Sequence, residues 1–306
     1  MLPLLALIAL ASCPLHTEVL IAAADAIAPG YVDARSADRI AASVRSWAIE
    51  ERYADACDQP AEFVRRVNQD LDAFDGHFHL EAGSDTQAGE TDWLQSWRDG
   101  SLRANGGVRE VRVLEGNVGY IRLTSFYPWD LARPKLVSAL SLVEDADGLI
   151  LDLRQNGGGD DTTTNQLLSA LLATGLSAPA SQQWVETRSG RRDDSLPEPE
   201  LPRIRSSVSI IVLIDRRSGS ASEALAYTLQ AAGRAKIVGS RSGGAANMVG
   251  EPVTLAHGYK LAIPEARPIN RVTGSNWEGG GVQPDVPGGD DPIYIARQLL
   301  AGSNND

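Results

Sequence analysis

Apolar residues between positions 18 and 81 return every three or four residues. Val19, Ala22 and Ala23 precede a break at Pro29-Gly30. Ile40, Val44, Trp47 and Ala48 follow, and after Gln59-Pro60 come Phe63, Val64, Val67, Leu71 and Phe74, up to Asp75-Gly76. Spacing near 3.6 puts such residues on one helical face, so the stretch predicts two or three helices forming a small bundle. Residues 82–100 are polar, contain glycine and carry Trp93 and Trp97, which predicts a linker or lid.

The pattern then changes. Residues 108–114 and 118–123 read as strands joined by Glu115-Gly116-Asn117, a hairpin. Residues 148–153 (GLILDL) and 208–214 are nearly continuous apolar runs, as expected of strands covered on both faces. Helices are predicted over 134–142, 164–172, 222–232 and 292–300, a strand over 236–238, and a hairpin around His257-Gly258. The charged stretch 191–203 reads as a surface loop. Alternating strands and helices with hairpins indicate an α/β class. The domain reading is a signal segment at 1–13, a helical domain at 14–81, a linker or lid at 82–105 and a core at 106–306.

Composition narrows the partners. A net charge of −12 over 306 residues repels phosphate backbones, so no nucleic acid is expected to bind. The cysteines, Cys13 and Cys57, make no CxxC metal motif and permit one disulfide at most; neither a metal nor a cofactor is expected. Met1 to Ala11 is unbroken apolar sequence, too short to span a bilayer. It fits either the apolar region of a secretory signal or the start of a buried helix. Leu10-Ala11-Ser12-Cys13 resembles a bacterial lipobox, in which Cys13 would carry lipid and tether the protein to a membrane. No Lys or Arg precedes Arg35. The expected location is exported: periplasmic, extracellular or lipid-anchored. With Cys13 lipidated or removed, Cys57 is a lone structural thiol.

Candidate chemistry lies in three segments. In residues 210–232 an apolar strand enters Ser218-Gly219-Ser220-Ala221-Ser222, and a helix opens with Glu223. A hydroxyl at such a junction is either a nucleophile beside helix N-terminal N–H groups or an N-cap. The three glycines at 157–159 leave N–H groups unhindered for a substrate, or form a plain turn. Residues 277–285 (WEGGGVQPD) hold an acid in another glycine-rich turn.

Taken in order, these segments, with Asn117-Val118-Gly119-Tyr120-Ile121, Gly233-Arg234, Val238-Gly239, Ile263-Pro264 and the element Asp75-Gly76-His77, resemble the superfamily of tail-specific (C-terminal processing) proteases, the tricorn core and interphotoreceptor retinoid-binding protein. The resemblance implies an N-terminal helical bundle followed by a crotonase/ClpP-like α/β core of mixed sheets with hairpins and packed helices. It also implies a serine-type peptidase acting on peptide or unfolded protein. The position matching the lysine of Ser–Lys members is Ala245, and the three lysines, Lys135, Lys236 and Lys260, lie elsewhere. The pattern is therefore similar to the PDZ-less tricorn core, which uses Ser, His and Glu. The match assigns Ser220 as nucleophile, His77 as base and Glu278 as its acid, with the N–H of Ala221 and one from Gly157 or Gly158 as oxyanion hole. Where the tricorn core has a serine before its histidine, this chain has Gly76, so Glu278 reaches His77 directly or through water, or Asp75 assists. Ser222 is the better N-cap candidate beside Glu223, and Ser218 is expected to be nearly silent.

Retinoid-binding modules of the same superfamily are carriers of small apolar ligands, so the fold alone does not establish catalysis. Retention of Ser220, His77 and Glu278 together favours the peptidase over a carrier or a catalytically dead peptide binder.

Overall fold

The computed structural model describes residues 13–83, 88–172 and 182–303. The apolar run at 1–11 therefore lies outside the described residues. In chain order the elements begin with α1 Pro14–Gly30, α2 Ala34–Ile49, α3 Pro60–Asp72, β1 His79–Glu81, α4 Ala88–Arg103, β2 Val108–Leu114, β3 Val118–Leu123, α5 Trp129–Leu142, β4 Gly148–Asp152 and α6 Asp161–Leu171. They continue with β5 Gln182–Thr187, β6 Gly190–Ser195, β7 Ser209–Ile214, α7 Ala221–Ala231, β8 Ala235–Gly239, β9 Met248–Val249, β10 Val253–Thr254, β11 Lys260–Ala262, β12 Pro264–Asn270, β13 Val286–Pro287 and α8 Pro292–Ser303. The class is α/β with N-terminal helices, as the sequence indicates.

The chain divides into two units. The first comprises Met1–Ala88, Thr187–Gly190 and Asn247–Ala266. Its core gathers one face from each helix: Val19, Ala23 and Ile27 of α1, Ile40, Val44 and Trp47 of α2, and Phe63, Val67 and Leu71 of α3, all buried. The start of α2 is fixed by Asp33, whose carboxylate accepts the Ser36 N–H at 2.7 Å. Beside the helices lies a three-stranded antiparallel sheet of order β1-β11-β10, with His79 opposite Ala262. This sheet corrects the domain reading, which kept 247–266 in the core. Pairing of β11 with β1 buries Leu255, Tyr259, Leu261 and Ile263 among the helical residues. A segment far along the chain thereby belongs to the first unit.

Cys13 and Cys57 form a disulfide joining the start of α1 to the turn after α2. This corrects two expectations. Cys57 is not a lone thiol, and the Cys13 sulfur, already bonded to another sulfur, cannot also carry a lipid thioether.

The second unit comprises Gly89–Glu186, Arg191–Ala246 and Arg267–Asp306. Its six-stranded sheet has the order β13-β8-β7-β4-β3-β2, parallel except where β2 returns antiparallel on β3. The central strands alternate their side chains between two apolar layers. Leu149, Leu151, Ile210 and Val212 pack with residues of α5, α6 and α7, whereas Ile150, Ile211 and Leu213 pack with Ala296 and Leu300 of α8. Burial on both faces is why these runs read as continuous rather than alternating. The loops after β4, β7 and β8 leave from the carboxyl ends of adjacent parallel strands, the usual place for a site in such a sheet.

Two stretches differ from the sequence reading. Residues 88–103 form α4 where a linker or lid is predicted, and 190–195 form β6 where a loop is predicted. The side chains of β6 are almost all exposed, so no apolar alternation marks it.

Candidate active site

Within the second unit, β7 delivers the chain to Asp215, and the turn to α7 is built around Ser218. This fully buried hydroxyl donates to the Leu153 carbonyl at 2.8 Å and accepts the Asp215 N–H at 3.0 Å. Ser218 is thus a structural tie between two loops, where the sequence predicts a nearly silent residue.

Ser220 stands immediately before α7 with φ 51° and ψ −120°. A positive φ is costly for a residue with a Cβ and persists only where the surroundings enforce it. Here Glu223, fully buried, enforces it. Its carboxylate accepts the Ser220 N–H at 2.9 Å, the Gly244 N–H at 2.7 Å and the Ala245 N–H at 2.9 Å, together with the Ser242 hydroxyl. Burial pushes the Glu223 carboxyl above the ordinary carboxylate range, while these donors pull the other way. The N-cap position belongs to Ser220 and not to Ser222, which corrects the sequence reading. The Ser222 hydroxyl, fully buried, donates to the Asn156 carbonyl at 2.7 Å and the Gly219 carbonyl at 3.0 Å.

The glycine loop after β4 lies against this turn. Asn156, fully buried, accepts the Gly219 N–H on its carbonyl at 3.0 Å and the Gly158 N–H on its side-chain oxygen at 2.9 Å. Gly158 has φ +107°, and a Cβ there would sit 2.9 Å from the Ala221 nitrogen and from the Ser220 Cβ, so only glycine fits. Because its N–H already serves Asn156, Gly158 is not an oxyanion donor, which corrects one of the two alternatives. The Gly157 and Ala221 N–H groups donate to no partner among the described residues.

Glu278 lies in the turn that follows Asn276, and its Oε2 accepts the Ala246 N–H at 2.7 Å. Trp277 donates its indole N–H to the Ala245 carbonyl at 3.0 Å, and Gly279 donates to the Gly244 carbonyl at 2.8 Å. The loop 242–246 is thereby clasped by Glu223 on one side and by the 277–279 turn on the other. Ala245 is a backbone element of that clasp.

His77 belongs to the first unit. Its backbone N–H donates to Asp75 Oδ1 at 2.9 Å, and its Nδ1 lies 3.5 Å from the same oxygen. Asp75 is 2% exposed and also accepts from the Tyr31 hydroxyl at 3.1 Å and the Asn247 amide at 2.8 Å, both on Oδ2. Burial alone would raise its pKa, but the bonds from His77 and Asn247 hold the carboxyl below the ordinary value. The remaining histidines have other settings. His16 is buried and stacked on Phe63, His79 is exposed near Glu81, and His257 pairs with Glu18 at 2.7 Å. Ser220, Ala221, Gly157 and Glu278 therefore fall in one unit, and His77 in the other.

Residues 117–287 match the model of peptidase family S41. A carboxy-terminal-processing protease of Bartonella bacilliformis is 31% identical over 185 residues, covering 58% of this chain and 41% of that protein. The chain thus spans about two fifths of the length of that curated relative. Among solved structures, a lipoprotein from Streptococcus agalactiae matches with a TM-score of 0.60 and 16% identity, covering 99% of this chain and 98% of that one. The tricorn protease matches with a TM-score of 0.58 and 14% identity, covering 94% of this chain and 37% of that one. At these identities the two structures are alike in fold.

Proposed function

This chain belongs to peptidase family S41, and on that footing we propose that it hydrolyses peptide bonds as a serine peptidase with Ser220 as nucleophile. One observation supports this most. Ser220 is held at a positive φ at the head of α7, beside two N–H groups, Gly157 and Ala221, that have no partner among the described residues. Ser220 is also the N-cap of α7, but capping alone requires no positive φ.

In this reading Ser220 Oγ attacks the scissile carbonyl carbon while His77 takes the hydroxyl proton. The negative charge that develops on the carbonyl oxygen is received by the Ala221 and Gly157 N–H groups, which the helix N-terminus reinforces. His77 then returns the proton to the leaving amine, and a water repeats the sequence to release the acyl group. Glu278, the acid that resemblance pairs with His77, adds negative charge that stabilises the imidazolium. The substrates are peptides or unfolded proteins, and the setting is an exported one, which the Cys13–Cys57 disulfide supports because such bonds persist in oxidising compartments.

The test is a fluorophosphonate probe followed by peptide mapping. Label on Ser220, absent in Ser220→Ala, supports the proposal. Label on another serine, or none on protein with a native thermal transition, refutes it.

A further inference from the structure

Asp75 lies beside His77 in the first unit, and its carboxylate is filled in an uneven way. A carboxylate offers about four lone-pair directions. Oδ2 takes the Tyr31 hydroxyl and the Asn247 amide, and Oδ1 takes the His77 backbone N–H, so three directions are occupied. On the Oδ1 side His77 Nδ1 lies 3.5 Å away, within ion-pair distance of the carboxylate. Three separate parts of the chain converge to make this arrangement: the end of α1, the turn after α3, and Asn247 at the start of the 247–266 segment. A carboxylate that merely shaped the turn would need only the backbone bond.

Resting on the reading of His77 as general base, we infer that Asp75 is its positioning residue, with Tyr31 and Asn247 holding the carboxylate in place. An Nδ1–H directed at Asp75 leaves Nε2 as the lone-pair nitrogen that takes the serine proton. The negative carboxylate also stabilises the imidazolium once that proton has moved. The other ionisable groups close by in this unit are Asp72, whose carboxylate oxygen lies 3.2 Å from the Cβ position of Gly76, and the His79–Glu81 pair at 3.7 Å.

The experiment measures the rate of fluorophosphonate labelling of Ser220 between pH 5 and 9 in the full chain and in His77→Ala, Asp75→Asn and Tyr31→Phe. In the unaltered protein the rate rises with pH as one imidazole loses its proton. Asp75→Asn should slow labelling on the order of 10³-fold or more and move that limb about one pH unit lower, because the imidazolium has lost its counter-charge. Tyr31→Phe keeps the ring stacked on Phe78 (centroids 5.3 Å apart) but removes a donor from Asp75. More negative charge then reaches His77, and the limb should move to higher pH. A purely structural Asp75 would leave the limb where it is. If His77→Ala labels at the normal rate, the base assignment itself fails. If His77→Ala is dead and Asp75→Asn labels within about threefold of normal with an unmoved limb, only the present inference is overturned. Should Asp75→Asn not fold, the limb of Tyr31→Phe decides: upward supports the inference, unchanged overturns it.

Discussion

The Glu223 carboxylate accepts the backbone N–H of Ser220 at 2.9 Å, so the residue that opens α7 is gripped from its third helical position. The same carboxylate takes N–H groups from Gly244 and Ala245 and the Ser242 hydroxyl. One buried acid thus joins the turn before α7 to the loop after β8. Glu223→Ala should strand these buried donors and cost about 3 kcal/mol or more. Glu223→Gln, which keeps the volume but turns an NH₂ toward donors, should fall between. Urea titration of the three proteins checks this, and an unchanged midpoint for Glu223→Ala would show that the clasp contributes nothing.

The three serines of the turn separate by consequence. Ser220→Ala should lower kcat on the order of 10⁴-fold and abolish probe labelling, and, because Ser220 is the N-cap of α7, it should also cost about 1 kcal/mol of stability. Ser218→Ala and Ser222→Ala each remove a buried hydroxyl with two hydrogen-bond partners and should each cost about 1–2 kcal/mol. Calorimetry and labelling on the same three samples decide it. Loss of labelling confined to Ser222→Ala would place the nucleophile two residues along.

The second unit's central strands were legible because β4 and β7 are covered on both faces and therefore unbroken apolar runs. The glycine loop at 157–159 and the turn at 218–222 were legible as places for chemistry because small residues follow those strands directly. The cap was misplaced by two residues, although the spacing Ser220-Ala221-Ser222-Glu223 is itself a capping-box signature. What local pattern could not supply was pairing across long separations. β12 contains Pro264 and Pro268, which weaken a strand signal, and β6 is a run of exposed charge. The role of Glu223 and the Asp75 cluster likewise depend on partners up to 172 residues away in the chain. No periodicity records such partners.

Stability should fall in acid in two stages, from two groups of the first unit. Burial lowers the pKa of His16 below its ordinary 6.5, with the Tyr53 backbone pulling partly the other way. The unfolded chain therefore binds a proton before the folded one does, and stability declines as pH drops below 6.5 until the lower folded value is passed. Asp75 is held below its ordinary 3.8, so its contribution is present above 3.8 and lost as pH falls through the folded value beneath it. His16→Phe, which can keep the stack on Phe63, should flatten the first stage, and Asp75→Asn the second. Thermal midpoints from pH 8 to pH 2.5 test both, and parallel curves for all three proteins would contradict the assignment.

The disulfide offers the most direct test of the first unit. Cys13 and Cys57 are separated by 44 residues, and in the chain-entropy model a bond closing such a loop stabilises by about 4 kcal/mol. It anchors the first turn of α1, which otherwise starts without a side-chain cap bond. Cys57→Ser should therefore lower the thermal midpoint under non-reducing conditions and erase the difference that a reductant makes to the unaltered protein. Thiol titration of the denatured protein should find no free thiol before reduction and both cysteines after it. A thiol on Cys57 that reacts before reduction, together with a lipid mass on Cys13, would overturn the bond and restore the membrane tether in its place.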